Sequence, residues 1–303
     1  MPQKQDLAPG LYLVATPIGN LEDITLRAIR VLKECDLIAC EDTRQTQKLL
    51  NHFGIETPMI SYYEHNEASR AAELIEKLAA GARIAVVSDA GTPGISDPGF
   101  RLVTLAIERG MPVIPIPGPA AFVAALVASG LPVESFSFRG FLAAKSGARR
   151  KQLESVRQSI QTEIFYEAPH RIRETLEDVA AVLGPTRRIV VGRELTKIHE
   201  EFLRGTAGKV LEIAKNRGEI KGEIVLLIAP ASEGDLPFAA ISIPDRVAKL
   251  MREEKLDEKT ALKKAAKERG ISKSEAYREL QQKRSNCYGR SRGGCPHKGT
   301  FSS

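Results

Sequence analysis

The sequence predicts an α/β protein with three parts: a parallel-sheet N-terminal domain, a mixed-sheet second domain and a small helical module at the C-terminus. Three observations carry that prediction. Short apolar runs alternate with helically spaced segments from Leu11 to Ile116, the mark of repeated βα units and hence of a parallel sheet covered on both faces. After a Pro-rich hinge at Pro115–Pro119 the strands lose that regularity and include a hairpin-like pair, as in a mixed sheet. Beyond a Gly, Ser and Pro linker at 231–237, short basic helices follow one another without strands.

The first domain, expected over residues 1–117, opens with an apolar strand at Leu11–Ala15 and the turn Thr16-Pro17-Ile18-Gly19-Asn20. Helical spacing follows at 24–32, then a strand at Asp36–Cys40, a helix at Thr46–Phe53, a short strand at Pro58–Ser61 and an amphipathic helix at Glu67–Ala80. The organising stretch comes next. Arg83–Val87 reads as a buried strand and runs into Ser88-Asp89-Ala90-Gly91-Thr92-Pro93-Gly94-Ile95-Ser96-Asp97-Pro98-Gly99. A loop so dense in Gly and Pro has a fixed path and lets backbone approach a ligand closely. It lies at the carboxyl end of a strand, the edge where open α/β sheets bind ligands. Glu41, Asp42, His65 and Asn66 follow other strands and gather on the same edge.

The second domain is expected over 118–230. Strands are predicted at 136–142, 163–166, 188–192 and 223–229, a hairpin arm at 200–204, and helices at 152–160, 172–183 and 207–215. Lys145–Lys151 reads as a basic loop. The third part, 238–284, is expected to hold helices at about 244–254, 258–269 and 273–283. The turn Gly270–Lys273, with Ser272 as an N-cap, gives the pattern of a helix-turn-helix. Residues 285–303 are expected to be a disordered tail.

Composition excludes several classes. The apolar runs are too short to span a membrane, and the N-terminus has no signal-peptide pattern. Four cysteines in 303 residues do not make a disulfide scaffold, so a cytoplasmic location is expected. Cys287, Cys295 and His297 supply too few ligands, without a paired Cys-x-x-Cys, so no metal site is expected. Gly-x-Gly-x-x-Gly after the first strand, a Walker loop and Gly-x-Ser-x-Gly are all absent. The net charge of +6 is uneven: residues 240–303 carry 16 Lys and Arg against 8 Asp and Glu. That excess predicts a polyanion partner for the C-terminal module.

Four motifs together resemble a known family. They are Thr16-Pro17-Ile18-Gly19-Asn20-Leu21-Glu22-Asp23-Ile24-Thr25, Cys40-Glu41-Asp42-Thr43-Arg44, Ser88–Gly99 and Tyr166-Glu167-Ala168-Pro169-His170-Arg171. The resemblance is to the rRNA-modifying branch of the tetrapyrrole methylase (class III methyltransferase) superfamily, over roughly residues 10–283. It implies a homodimeric enzyme that uses S-adenosyl-L-methionine, folded into a cleft between two α/β domains. The implied reaction is methylation of the ribose 2′-oxygen of a cytidine in the decoding region of 16S rRNA. Family sequences usually carry Pro after Gly140-Phe141-Leu142, where this chain has Ala143.

By this resemblance the cofactor is expected against Asp89, Gly91, Thr92, Pro93, Ile95, Ser96 and Asp97. Pro17, Pro117, Gly118, Ala120, Ala121 and Tyr166 complete its expected site. Methyl transfer from a sulfonium needs positioning and the removal of one proton from the acceptor. Candidates for that work are Asp89, Glu167, Glu194 and Lys197, with Glu41, Asp42 and Asp97 as further carboxylates. RNA phosphates are expected at Arg44, Arg149, Arg150, His170, Arg171 and Arg193, and at Lys263, Lys264, Lys267 and Lys273 around the C-terminal turn. Two other readings fit parts of the sequence. A small-molecule tetrapyrrole methylase would not need the basic module, and a ligand-sensing DNA-binding regulator would not need so many polar strand-end groups.

Overall fold

The computed structural model describes residues 7–63, 66–95, 99–231, 243–269 and 271–289. The chain divides into two compact units, Met1–Pro230 and Ala231–Ser303.

The first unit contains both sheets. Its N-terminal part runs β1 (Gly10–Val14), α1 (Leu26–Glu34), β2 (Leu37–Cys40), α2 (Thr43–His52), β3 (Met59–Ser61), α3 (Glu67–Ala79), β4 (Arg83–Val87), α4 (Phe100–Glu108) and β5 (Val113–Ile116). The five strands form one parallel sheet in the order β3-β2-β4-β1-β5. Connections from β1 to β3 step one way across the sheet and those from β3 to β5 step back. Right-handed crossovers therefore put α1 and α2 on one face and α3 and α4 on the other. The two cores follow that division: Ala28, Leu32 and Leu50 pack with Tyr12, Val14 and Ala85, while Leu74, Ile75 and Leu102 pack with Leu11, Ile84 and Val86. The direction of winding reverses between the neighbouring strands β4 and β1, which opens a crevice at their carboxyl ends.

The chain continues with α5 (Ala121–Ser129), β6 (Phe136–Phe141), α6 (Ser146–Ser155), β7 (Thr162–Glu167), α7 (Ile172–Leu183), β8 (Arg188–Arg193), β9 (Glu201–Thr206), α8 (Ala207–Lys215) and β10 (Ile224–Ile228). These strands make a mixed sheet ordered β6-β7-β10-β8-β9, in which β6 and β7 are parallel and every other pair is antiparallel. Helix α5 covers one face through Ala125 and Leu126, and α6, α7 and α8 cover the other through Leu153, Leu176, Val179 and Val210. Ile18, from the loop after β1, is built into the α5 side of this second core.

One element differs from expectation. The basic stretch Ser146–Lys151 is not a loop but the first turns of α6. The reason is Asp178 on α7, nearly fully buried, which accepts hydrogen bonds from Ser146 Oγ, Arg149 Nε (2.7 Å) and Arg150 Nε (2.6 Å) and so anchors the helix start. Just before it, the Ala143 amide donates to Gln152 Oε1 at 2.8 Å, a bond that proline could not make.

The second unit is described by three helices, α9 (Ile243–Glu253), α10 (Glu258–Arg269) and α11 (Lys273–Gly289). Their core is Val247, Leu250, Ala261, Leu262, Ala265, Ala276 and Leu280. Ser272 and Glu275 form a reciprocal capping box at the start of α11. That helix runs five residues into the stretch expected to be disordered, because no Pro or Gly interrupts it before Gly289. Residues 290–303, including Cys295 and His297, lie outside the described residues. Among the described residues no helix is long and apolar enough to cross a membrane, and no group of three His, Cys, Asp or Glu could hold a metal.

Candidate active site

The loops after β1, β4 and β5 are tied together mainly by backbone. Thr16 N–H donates to Gly91 O at 2.9 Å and Gly91 N–H donates back to Thr16 O at 3.0 Å, a two-bond bridge across the crevice. Thr16 Oγ1 donates to Ser88 O, and Thr92 Oγ1 to Pro119 O at 3.1 Å. Gly91 sits at φ +86°, a left-handed conformation that side chains resist. Gly118 has no room for a side chain, since a Cβ there would lie 2.9 Å from that of Ala15.

Above this edge is a cleft of ≈470 Å³, within the size range of small-molecule sites. One wall is Ile18, Glu41, Asp89, Ala90, Gly91, Thr92 and Ile95, and the other is Tyr166–Pro169, Leu195 and Glu223–Val225, with Ala120–Phe122 and Phe141 between. Phe122, Phe138, Tyr166 and Phe141 form a run of ring contacts with centroids 4.6–5.5 Å apart, which gives the cleft a rigid aromatic side. The opposite rim is acidic. Asp89 Oδ1 accepts the Asp42 N–H at 3.1 Å, and burial together with Asp89 and Asp42 pushes the Glu41 carboxyl above its ordinary pKa.

Of the expected cofactor residues, the cleft gathers Asp89, Gly91, Thr92, Ile95, Ala120, Ala121 and Tyr166. Pro17, Pro93, Pro117 and Gly118 do not line it; they belong to the loops that shape it. Ser96 and Asp97 lie outside the described residues. Sequence reasoning missed Ile18, Phe122, Phe141 and Leu195 as lining groups, because an apolar side chain facing a cleft has the same pattern as one facing a core.

The candidate catalytic residues separate. Glu167 is engaged in structure. Its side chain is fully buried, and it accepts from Ala168 N–H (2.7 Å), Arg171 Nε (2.5 Å) and Thr175 Oγ1 (2.6 Å). It fixes the turn that carries Ala168 and Pro169. Glu194 and Lys197 sit on a strained turn: Glu194 has φ +51° and Thr196 φ +65°, rare values for residues other than glycine. The chain is cut away on both sides of this turn. A Cβ on Gly19 would lie 2.4 Å from Lys197 Cγ, and one on Gly222 would lie 2.4 Å from the Glu194 carboxyl. The Lys197 ammonium is thereby held between Glu194 Oε1 (2.9 Å) and Glu223 Oε2 (3.3 Å). Leu195 and Glu223 line the cleft, while Glu194 and Lys197 stand behind them and do not line it. Burial draws the Lys197 pKa down, but the two carboxylates outweigh burial and hold it above its ordinary value, so Lys197 is a cation at neutral pH.

The expected RNA contacts divide in the same way. Arg149 is corrected: it is 1% exposed and bound to Asp178, a core ion pair that cannot reach a phosphate. Arg171 is committed to Glu167 and to Leu142 O, and Arg193 to Glu201, Lys221 O and His199 O. Arg150 also binds Asp178 but remains half exposed. Arg44, although paired with Asp42, and His170 are exposed near the cleft. In the second unit Lys263, Lys267 and Lys273 are exposed, while Lys264 binds Glu254.

A parallel sheet with a switch-point cleft, backed by a mixed sheet, is an architecture that holds a small molecule at the carboxyl edge of its strands. The model of the Tetrapyrrole (Corrin/Porphyrin) Methylases matches residues 10–211. The same fold is found in a crystal structure of diphthine synthase, at 15% identity with a TM-score of 0.56 over 72% of this chain and 89% of that one. It is found again in a uroporphyrin-III C-methyltransferase from Thermus thermophilus complexed with S-adenosylhomocysteine, at 19% identity with a TM-score of 0.51 over 73% and 97%. The curated relatives are more specific. A ribosomal RNA small subunit methyltransferase I from Halalkalibacterium halodurans is 49% identical over 92% of this chain and 97% of its own length. Another with the same name, from Bacillus subtilis, is 46% identical over 88% and 92%. The chain belongs to the tetrapyrrole methylase family, in its ribosomal RNA small subunit methyltransferase I branch.

Proposed function

We propose that this protein methylates the ribose 2′-oxygen of a cytidine in the decoding region of 16S rRNA, using S-adenosylmethionine, in the cytoplasm and as a homodimer. The observation that carries the reading is the switch-point cleft in a chain whose relatives are rRNA small subunit methyltransferases along nearly their whole length.

The cleft suits the cofactor on its own terms. The Gly91 bend leaves backbone open to a ligand, the aromatic side accepts a flat ring, and Asp89 with Glu41 answers a positive charge. When bound, S-adenosylmethionine supplies a methyl group already activated on a cationic sulfur. The chain then has to exclude water, orient the acceptor and handle one proton. The Lys197 ammonium favours the acceptor oxygen as negative charge develops there, and Glu223 on the same bridge can accept the proton. Glu194 fixes the geometry of both, since its carboxylate also accepts the Glu223 N–H at 2.9 Å. Exposed lysines of the C-terminal unit would add salt-dependent affinity for RNA without choosing the base.

The test is to methylate small ribosomal subunits with labelled cofactor and digest their RNA to nucleosides. Label on 2′-O-methylcytidine supports the reading, and label confined to a base overturns it. Lys197→Met should lower kcat by about 100-fold or more, the scale of losing one preorganised electrostatic group. Its cofactor affinity should be unchanged. Light scattering that finds only a 33.1 kDa monomer would remove the dimer from the proposal.

A further inference from the structure

A second recess of ≈490 Å³ opens beside the cleft. The two share Pro169, and Gly222 of the recess is joined directly to Glu223 of the cleft. Its far wall, the segment before β10, is fixed at both ends. At one end the Arg173 guanidinium donates to Ala214 O (3.0 Å), Arg217 O (2.6 Å) and Gly218 O, so this arginine is spent on scaffold. At the other, Arg193 Nη1 donates to Lys221 O at 3.1 Å, and Glu194 and Glu223 exchange two hydrogen bonds at 2.9 Å. The wall is thus preformed and shares its anchor with the turn that holds Lys197. Three polar side chains on the recess, His170, Glu219 and Lys221, are not committed in this way. The imidazole of His170 is exposed, and Lys221 pairs with the equally exposed Glu219, a contact that phosphate can replace.

We propose that this recess receives the nucleotide next to the methylated one. Its base would lie against Pro169, Ile220 and the His170 ring, and its phosphate would meet Lys221. Sequence-specific RNA recognition depends on unstacked bases seated on flat side chains, and a ribose placed in the cleft leaves its neighbour at the Pro169 edge. The inference rests on the reading of rRNA as the acceptor. It adds a recognition site that discriminates by the residue beside the target, separate from the cofactor cleft and from the basic C-terminal unit.

The experiment uses the full chain and purified small subunits. Lys221→Glu should raise KM for the subunit by about 10-fold and reduce the salt slope of binding by about one. His170→Ala should raise KM by roughly 5-fold, the loss of one modest stacking contact, and His170→Phe should restore most of it. In all three, kcat and the cofactor Kd should stay within about 2-fold, because no altered residue touches the reacting atoms. Unmoved KM and salt slope beside a fully active wild type would overturn the recess assignment alone. A wild-type protein that places no label in small-subunit RNA would overturn the underlying reading, and the recess assignment with it.

Discussion

The edge of the first sheet and the interior of the second are organised by opposite means. At the first, positions are fixed by backbone bonds and by glycine: Thr16 bridges Gly91, Thr92 binds Pro119, and Gly118 lies flat on Ala15. Side chains such as Asp89 and Glu41 are left facing the cleft. In the second, position is fixed by arginines on buried carboxylates: Arg139 on Glu163, Arg149 on Asp178 and Arg171 on Glu167, whose carboxylate side chains are 1%, 4% and 0% exposed. Charge there is consumed by structure. The difference teaches that a basic residue in an RNA-modifying enzyme is not thereby an RNA contact. A Gly and Pro loop, by contrast, is a scaffold built from backbone that leaves Asp89 facing the cleft.

The comparison breaks most visibly at Arg149. Arg149→Ala leaves the buried Asp178 carboxylate with only Arg150 and Ser146 and empties a fully buried position, and should cost about 2–4 kcal/mol of stability, read by denaturant unfolding. If stability is unchanged and small-subunit affinity falls instead, the assignment of this arginine to the core is wrong. Next in size is Gly19→Ala. It drives a methyl group into Lys197 and the Leu195 carbonyl, and should cost about 1–3 kcal/mol if the turn resists. It should lower methyl transfer more than cofactor binding, and the reverse result would place the turn in the cofactor site.

The pH dependence sharpens the same contrast. Burial raises the Asp178 pKa, but Arg150, Arg149 and Ser146 outweigh it and hold the carboxyl below its ordinary value. Its contribution is therefore present above the unfolded pKa of about 3.9 and is lost as pH falls through the folded value. The stability gap between wild type and Asp178→Asn should be constant from neutral pH to about 5 and close below about 4. Glu41 runs the other way, since its pKa is raised. A cation bound beside it favours the ionised form, so cofactor binding should release protons, a small effect read by calorimetry in two buffers. The mildest perturbation is deletion of 238–303. It should leave cofactor binding intact and flatten the salt dependence of subunit binding, because both sheets and their cores lie in the first unit.

Much of this was legible in the sequence. Apolar runs at 83–87 and 224–228 and helical spacing at 172–183 specify their elements, because burial on one or both faces leaves a period in the residues. The Gly91 and Thr92 loop announced the cleft edge through its composition and its place after a strand. What was not legible depends on partners distant in the chain. Nothing near Arg149 reveals Asp178 on the following helix, and nothing in Glu194-Leu195-Thr196-Lys197 reveals a left-handed turn stacked on Gly19. The recess beside Pro169 combines residues around 170 with others around 220, so no local pattern marks it.

The central claim is that the bridged Gly and Pro loops at the switch point form the cofactor site. Calorimetric titration of S-adenosylmethionine into wild type and Gly91→Val tests it most directly, with thermal melting to confirm that the variant is folded. A Cβ at Gly91 sits at φ +86°, 3.4 Å from Ile18 Cγ2, and valine extends further. The account predicts that the folded variant binds the cofactor at least about 100-fold more weakly, or about 2.7 kcal/mol. Undiminished binding by that folded variant would contradict it and move the site away from this loop.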